Sequence, residues 1–441
     1  MERDSSPDST ARPRLPLHKT FAVAIGNGLE FYDFLTFSFF SIQISHAFYP
    51  AGQTSHGLLY TLATFGVGFA TRPLGGFLIG RYGDRVGRKP AMTLSLTLMG
   101  VAIFAMALIP SFARIGTAAP ILLLLCRLVQ GFALGGVVGP STAYLVEAAP
   151  PERRGLYASL QSATQDLAIL GAGVVGFVLS SVMSPQALDE WGWRVAFLLG
   201  VAVVPLGLWI RRSLPETMPR ADAGVAPAVK VRVPVRLVIL GLLMLGASTI
   251  SGYVLTYLTT YAQDSLKMSA NLAFRATMII GLGEASAAVM SGFLSDRFGR
   301  RPVMISAYTT LALLAVPTFI VMNQSPGMTI VYAAMALLSV LVDLASVPAI
   351  VVIAESLPAA VRCGTLATVY AVAIASFGGT TQFMLKWLID ETGSPLAPAW
   401  YMTGACVMGA CAALLVHESA PRKIAAARAA AKPGVGTLEE V

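Results

Sequence analysis

Long stretches with little or no charge recur along the whole chain, at 19–46, 57–80, 91–110, 118–146, 156–183, 193–211, 236–262, 271–294, 303–323, 328–354, 364–388 and 397–416. A helix rises 1.5 Å per residue, so about 20 apolar residues cross the ~30 Å hydrocarbon core of a bilayer. Twelve such stretches predict an all-α membrane protein of twelve transmembrane helices. Polar residues gather between the stretches and at the ends. The connection 215–234 is the most conspicuous, punctuated by Pro215, Pro219, Gly224, Pro227 and Pro234. The expected organisation is a tail over 1–18, a six-helix bundle over 19–214, a linker over 215–234, a second bundle over 235–417 and a tail over 418–441. The first eighteen residues hold no short apolar core before a small-residue cleavage site, so they read as a tail and not a signal peptide.

One pattern occurs twice. Residues 80–90 run from Gly80 through Asp84, Arg85, Gly87 and Arg88 to Pro90, and residues 292–302 run from Gly292 through Asp296, Arg297, Gly299 and Arg300 to Pro302. Both fit G-x-x-x-D-R-x-G-R-K/R-P, and 212 positions separate Asp84 from Asp296. An echo follows in each half: Glu147, Pro150 and Arg154 return with the same spacing as Glu355, Pro358 and Arg362. Two halves built alike in so apolar a chain predict two pseudo-symmetric bundles, with a substrate path between them near mid-membrane.

Composition agrees with a membrane location. Apolar residues make up 55% of the chain and charged ones 12%, with a mean hydropathy of +0.70. A soluble protein carries about 25% charged residues. The net charge of +8 is a topology signal, not a nucleic-acid footprint. With the N-terminus inside, Arg81, Arg85, Arg88, Lys89, Arg153, Arg154, Arg297, Arg300, Arg301 and Arg362 all fall in cytoplasmic segments, as do both tails and the linker. The outer segments collect only Arg114, Arg194, Lys267 and Arg275. That bias predicts both termini in the cytoplasm. The four cysteines give no disulfide framework, and the four histidines sit at ends and loops without metal-ligand spacing. No cofactor or metal is expected. No G-x-x-x-x-G-K-S/T loop occurs, so the chain does not drive itself with ATP.

The doubled loop resembles the signature of the major facilitator superfamily. The first segment, Gly26-Asn27-Gly28-Leu29-Glu30-Phe31-Tyr32-Asp33-Phe34, is similar to the metabolite:proton symporter branch of that family. So are Arg72-Pro73-Leu74-Gly75, Arg127-Leu128-Val129-Gln130-Gly131-Phe132 and Trp191-Gly192-Trp193-Arg194. The resemblance covers about residues 19 to 416 and implies the major facilitator fold. The substrates it implies include citrate and tricarballylate, 2-oxoglutarate, shikimate, and proline or betaine. The run Tyr157 to Gln165 resembles the fifth helix of citrate and tricarballylate symporters, which makes Gln161 and Gln165 candidate substrate contacts. Asp166 departs from that resemblance, which places an amide there. An extra acid beside the path disfavours a tricarboxylate unless it is protonated or paired.

Ionisable groups at bilayer depth cost at least ~2.5–3.5 kcal/mol each, so each needs a reason. Asn27, Glu30 and Asp33 step by 60° and share one polar stripe of the first helix. A carboxyl that loads a proton outside and unloads it inside is what proton coupling requires, and Asp33 and Glu30 are the candidates. The bland alternative is that one of them only neutralises an arginine. Arg72 and Arg127 offer forks of donors that fit carboxylates in two-point contact. Arg127 shares a helix face with Gln130, Gly131 and Gly135. Structural neutralisation by Glu30 or Asp33 is again the alternative. The second half carries Glu284, Asp343, Lys386 and Asp390. The repeat maps Arg72 onto Glu284, as a gate pair or with partners inside each bundle, and Lys386 with Asp390 reads as a snorkelling surface pair. Glu147, Arg154, Glu355 and Arg362, with Asp84, Arg85, Arg88, Asp296, Arg297 and Arg300 of the loops, form an expected charge network that closes the inner face.

The leading expectation is proton-coupled symport of a small organic anion, citrate or a related tri- or dicarboxylate, by alternating access. A proton-linked antiporter exporting an organic acid or drug would use the same acids. A sensor built on a transporter scaffold would need a signalling domain, for which the tails are short. The expected partners are the anion, protons and the lipid bilayer, with no nucleic acid, and the chain is expected to work as a monomer in a bacterial inner membrane.

Overall fold

The computed structural model describes residues 28, 31–32, 34–50, 54–86, 88–135, 145, 149–213, 234–324, 327–357 and 359–424. Among them the regular structure is helical throughout. Hydrocarbon offers no partner to a backbone N–H or C=O, so each apolar stretch must bond within itself. The end of the first stretch is α1, Ser41–Phe48. There follow α2 Thr54–Ala70, α3 Arg72–Val86, α4 Arg88–Leu108, α5 Ala118–Leu134, α6 Arg154–Val182 and α7 Trp193–Ser213. The second half contributes α8 Val235–Asp264, α9 Ala270–Phe298, α10 Arg300–Gln324, α11 Met328–Ser356, α12 Ala359–Ala373, α13 Gly379–Thr392 and α14 Ala397–Leu415.

Two expected helices are interrupted. The second stretch breaks at Thr71, where Pro73 has no N–H for the Phe69 carbonyl. The eleventh passes through a π turn, Ile374–Gly378, between α12 and α13. Wide turns of this kind open the backbone ladder beside functional sites. Among the described residues seven helical spans are long and apolar enough to cross a membrane, one of them running from His56 to Ile79 through Thr71, and two shorter apolar stretches cover Thr93–Leu108 and Ala118–Leu134. The outward faces are apolar as well: Phe77, Val101 and Leu313 are each more than 60% exposed, which suits lipid and not water. The protein is a multi-pass membrane protein.

Each half packs its own core. Phe34, Phe37, Phe65, Ile103, Leu123 and Trp193 belong to the first, and Met244, Leu258, Tyr308, Leu338 and Met402 to the second. The halves meet along two seams. In one, α6 and α9 run antiparallel in register: Gly176 meets Phe274, Gly173 meets Met278, Gly281 meets Leu170 and Gly292 meets Ser159. In the other, the Ser38 hydroxyl donates to Gln382 Oε1 at 2.9 Å, Ser41 and Thr260 share a 2.9 Å bond, and Gly379 packs on the α2 backbone at Gly66.

The repeated motif lies largely inside helices. In the second copy α9 runs through Phe298 and α10 begins at Arg300, leaving Gly299 alone between them at φ +105°. A side chain there is strained whatever the space, which explains the glycine of the motif.

The α6–α9 seam tolerates little bulk, because a Cβ on Gly292 would lie 2.6 Å from Ser159 Oγ and 2.8 Å from the Gly155 carbonyl. Gly292→Leu should destabilise the protein by about 1–3 kcal/mol through overpacking. Gly404→Leu, where nothing lies within 4 Å, should leave it unchanged. Thermal unfolding of both variants in detergent checks this.

Candidate functional site

A cavity of about 180 Å³ lies between the halves, enough for a small organic molecule. Its walls come from both. The first half supplies Phe31 and Leu35 of the first stretch and Gln161, Gln165 and Asp166 of α6. The second supplies Thr249, Tyr253 and Thr256 of α8, Glu284 of α9, Asp343 and Ser346 of α11, Tyr370 of α12 and Ile374 of the π turn. Asp166 stands twelve residues into α6, and Glu284 twelve before Asp296, so both lie roughly 18 Å along their helices from the side that carries the repeated loops. That is near mid-membrane. Lining residues such as Ala158 and Ile350 extend the cavity toward this loop side.

Next to the cavity, two arginines share one aromatic box. The Arg127 guanidinium lies 4.3 Å from the Phe34 ring centre, 4.4 Å from Phe37 and 4.9 Å from Phe65. Arg72 lies 4.5 Å from the same Phe34 ring and 4.2 Å from Phe69. Both are buried. Arg127 donates to Gln130 Oε1 at 2.7 Å, and Arg72 lies close enough to Tyr253, on the cavity wall, to interact with it. Aromatic faces offset part of the cost of dehydrating a cation, but Arg72 Nε and Nη2 and Arg127 Nε still lack hydrogen-bond partners among the described residues. α5 approaches α2 and α3 closely enough for this because Gly131 meets the Gly68 carbonyl and Gly135 the Arg72 carbonyl.

On the loop side, one carboxylate joins the halves. Asp296 Oδ1 and Oδ2 accept the backbone N–H groups of Gly155 and Leu156, each at 2.9 Å, at the start of α6. The side chain thus caps a helix of the opposite half, where free N–H groups and the helix dipole favour a negative charge. Arg300, fully buried, holds Asp296 at 2.6 Å and Glu355 at 3.3 Å. Ser419 donates to Glu355 at 2.7 Å, while Glu418 accepts the N–H groups of Arg300 and Arg301 at 2.9 and 3.1 Å.

The Major Facilitator Superfamily description matches residues 23–378, most of the chain. The chain belongs to the major facilitator superfamily. This facilitator is 35% identical over 413 residues to a citrate-proton symporter of Klebsiella pneumoniae, covering 92% of this chain and 93% of that protein. It is also 35% identical over 402 residues to an alpha-ketoglutarate permease of Escherichia coli, covering 89% and 92%. The crystal structure of a D-xylose-proton symporter shares the fold, with a TM-score of 0.76 at 19% identity and coverage of 92% and 99%. The facilitator is a transporter and not an enzyme.

Of the residues singled out in the sequence, Gln161 and Gln165 line the cavity, and Arg72 stands behind Tyr253 of its wall. Arg127 and Gln130 sit one layer behind. Asp296, Arg300 and Glu355 come together on the loop side, whereas Arg297 is exposed and lies over Phe298. Arg154 begins α6, its Nε without a partner among the described residues. Asn27, Glu30, Asp33 and Glu147 lie outside the described residues, as do the side chains of Asp84, Arg85, Arg88 and Arg362. Glu284 faces Asp166 and Asp343, acids like itself.

Lys386 differs from the expected surface pair. It is 5% exposed and bonds both Asp390 at 2.7 Å and Asp264 at 3.0 Å, tying α13 to the end of α8. Asp264 is the partner that spacing could not supply, since it is 122 positions away in sequence. His46 pairs likewise with Asp189 at 2.8 Å, linking α1 to the turn before α7. Tyr253 and Tyr370 also escaped the sequence reading. The polar run Ser248 to Thr260 inside an apolar helix was the available signal for Tyr253.

The cap of Asp296 on α6 sets an expectation for gating. Asp296→Asn removes the charge and one acceptor, a loss of about 1 kcal/mol or fivefold in the closed-to-open ratio. In a protein with Cys126, Cys363, Cys406 and Cys411 replaced by Ser, an Ala158→Cys reporter should react about fivefold faster with an impermeant maleimide applied from the loop side. An unchanged rate would show that the cap does not hold this face closed.

Proposed function

We propose that this chain imports a small organic anion together with protons, and that the anion is citrate or a related tri- or dicarboxylate. The near-full-length likeness to a citrate-proton symporter carries this reading. The equal identity to an alpha-ketoglutarate permease favours multiply charged carboxylates as the class. The cavity supports it: it lies between the halves, with amides on its wall and two guanidiniums within a layer of it. In this reading Arg127 and Arg72 take substrate carboxylates, with Asn27, Gln130, Gln161 and Gln165 bonding the remaining oxygens. Asp33 carries a coupled proton, with Glu30 as partner to an arginine. Asp296, Arg300 and Glu355 lock the loop side, joined by Asp84, Arg85, Arg88, Glu147, Arg154, Arg297 and Arg362. The chain works as a monomer in a bacterial inner membrane with both termini cytoplasmic, the side to which the basic loops assign them.

Purified protein in proteoliposomes with an alkaline interior should accumulate at least one labelled acid from a panel of citrate, tricarballylate, 2-oxoglutarate and shikimate. Collapse of the gradient by a protonophore should abolish it. Accumulation of proline or betaine alone, or downhill flux only, would overturn the reading.

Arginine's two-point fork is the expected source of anion recognition. Arg127→Lys keeps the charge and loses the fork, so uptake should fall at least about tenfold at normal protein abundance. Unchanged apparent affinity would make Arg127 a structural residue.

A further inference from the structure

Three carboxyls converge on the cavity from three helices and from both halves: Asp166, Glu284 and Asp343. They are 8%, 4% and 7% exposed. Asp166 Oδ2, Glu284 Oε2 and Asp343 Oδ2 are buried without a donor from any described group. Asp166 from one half and Asp343 and Glu284 from the other line the same cavity across the boundary between the halves, close enough to interact electrostatically. Among the described residues, the other titratable groups facing them are the phenols of Tyr253 and Tyr370, with Arg72 behind Tyr253. The described part of the first stretch presents only Phe31 and Leu35 to the cavity.

Ionised carboxylates are acceptors only, so a bond between two of them requires a proton on one. Like charges this close cannot all be carried at once in a buried site. A metal ion is a poorer occupant, since the described residues form no three-ligand group able to hold one. We propose that Asp166, Glu284 and Asp343 form a proton-binding site shared by the two halves, filled before the organic anion enters. The inference rests on the symport reading and adds a site to it.

The proton arrives from water on the far side and bridges Asp166 and Asp343, which holds α6 against α11 and lowers the negative charge that an anion meets. On the loop side it leaves to water. The ionised pair then repels across the boundary, and that repulsion favours separation of the halves. The same arrangement answers the objection that an acid at position 166 raises against a tricarboxylate: the acid is paired through a proton.

The test compares wild type with Asp166→Asn, Asp343→Asn and Glu284→Gln, near-isosteric changes, in the same proteoliposomes. Wild-type counterflow at equal pH on both sides should lose substrate affinity by about tenfold per pH unit above the range where the site empties, the slope of one linked proton. Asp166→Asn and Asp343→Asn should flatten that slope and lose at least about tenfold in gradient-driven accumulation while counterflow continues. Variants with the wild-type slope and accumulation overturn the site. Accumulation driven by a sodium gradient and blocked by the same variants overturns the proton as its occupant.

Thermal unfolding in detergent from pH 5.5 to 8.5 needs no transport. The native site holds a proton that the unfolded chain releases, so the wild-type Tm should fall as pH rises, and the double Asn variant, which keeps only Glu284, should fall less steeply. A wild-type Tm that does not fall, or equal slopes in both proteins, overturns the site. If wild type accumulates no organic acid, the transport reading fails, and the Tm slopes still decide the site.

Discussion

Lipid supplies neither hydrogen bonds nor counterions, and this scarcity organises the molecule. Backbone groups answer it by forming helices. Charged side chains answer it by moving to where protein faces protein. Asp166, Glu284 and Asp343 gather at the boundary of the halves, Arg72 and Arg127 enter a box of phenylalanines, and Lys386 draws two aspartates to itself. Outward faces keep Phe77, Val101 and Leu313. Burying an ion pair seldom adds stability by itself, so charges retained at such depth are the candidates for function.

The two seams between the halves differ in chemistry. The α6–α9 seam is a run of glycine contacts, which brings the backbones together and leaves few side chains to rearrange. The seam between the first stretch and α8 and α13 is built from hydroxyls and amides, such as Ser38 with Gln382 and Ser41 with Thr260. Small polar contacts of this kind are individually weak, so they can be made and broken as the halves rock. The cavity opens between these two linings, at the depth where the carboxyls stand.

The fold was legible in the sequence because hydrocarbon thickness and helix rise leave one length scale. The stretch 271–294 became Ala270–Phe298, and 397–416 became Ala397–Leu415. Breaks were less legible. Pro73 marks one at Thr71, but the π turn over Ile374–Gly378 has no proline to announce it. The site was legible in parts. Gln161 and Gln165 share a cavity wall, and the doubled motif led to Asp296 and Arg300. What stayed hidden was proximity over long separation: Lys386 pairs with Asp264, Asp296 caps the start of α6, and Asp166 shares a cavity with Asp343. Helical periodicity reports which residues share a face and is silent about which face meets which.

The contact of Glu418 with the start of α10 changes how the end of the chain is regarded. Its carboxylate satisfies two backbone donors beside Gly299, and Ser419 reaches Glu355 in the same cluster. The segment from Glu418 to Ala420 is therefore a strap across the loop-side charge cluster. Its contacts run on through Arg300 to Asp296 and so to the opposite half. A restraint on that segment would act on the loop-side cluster from outside the membrane altogether, without anything entering the cavity.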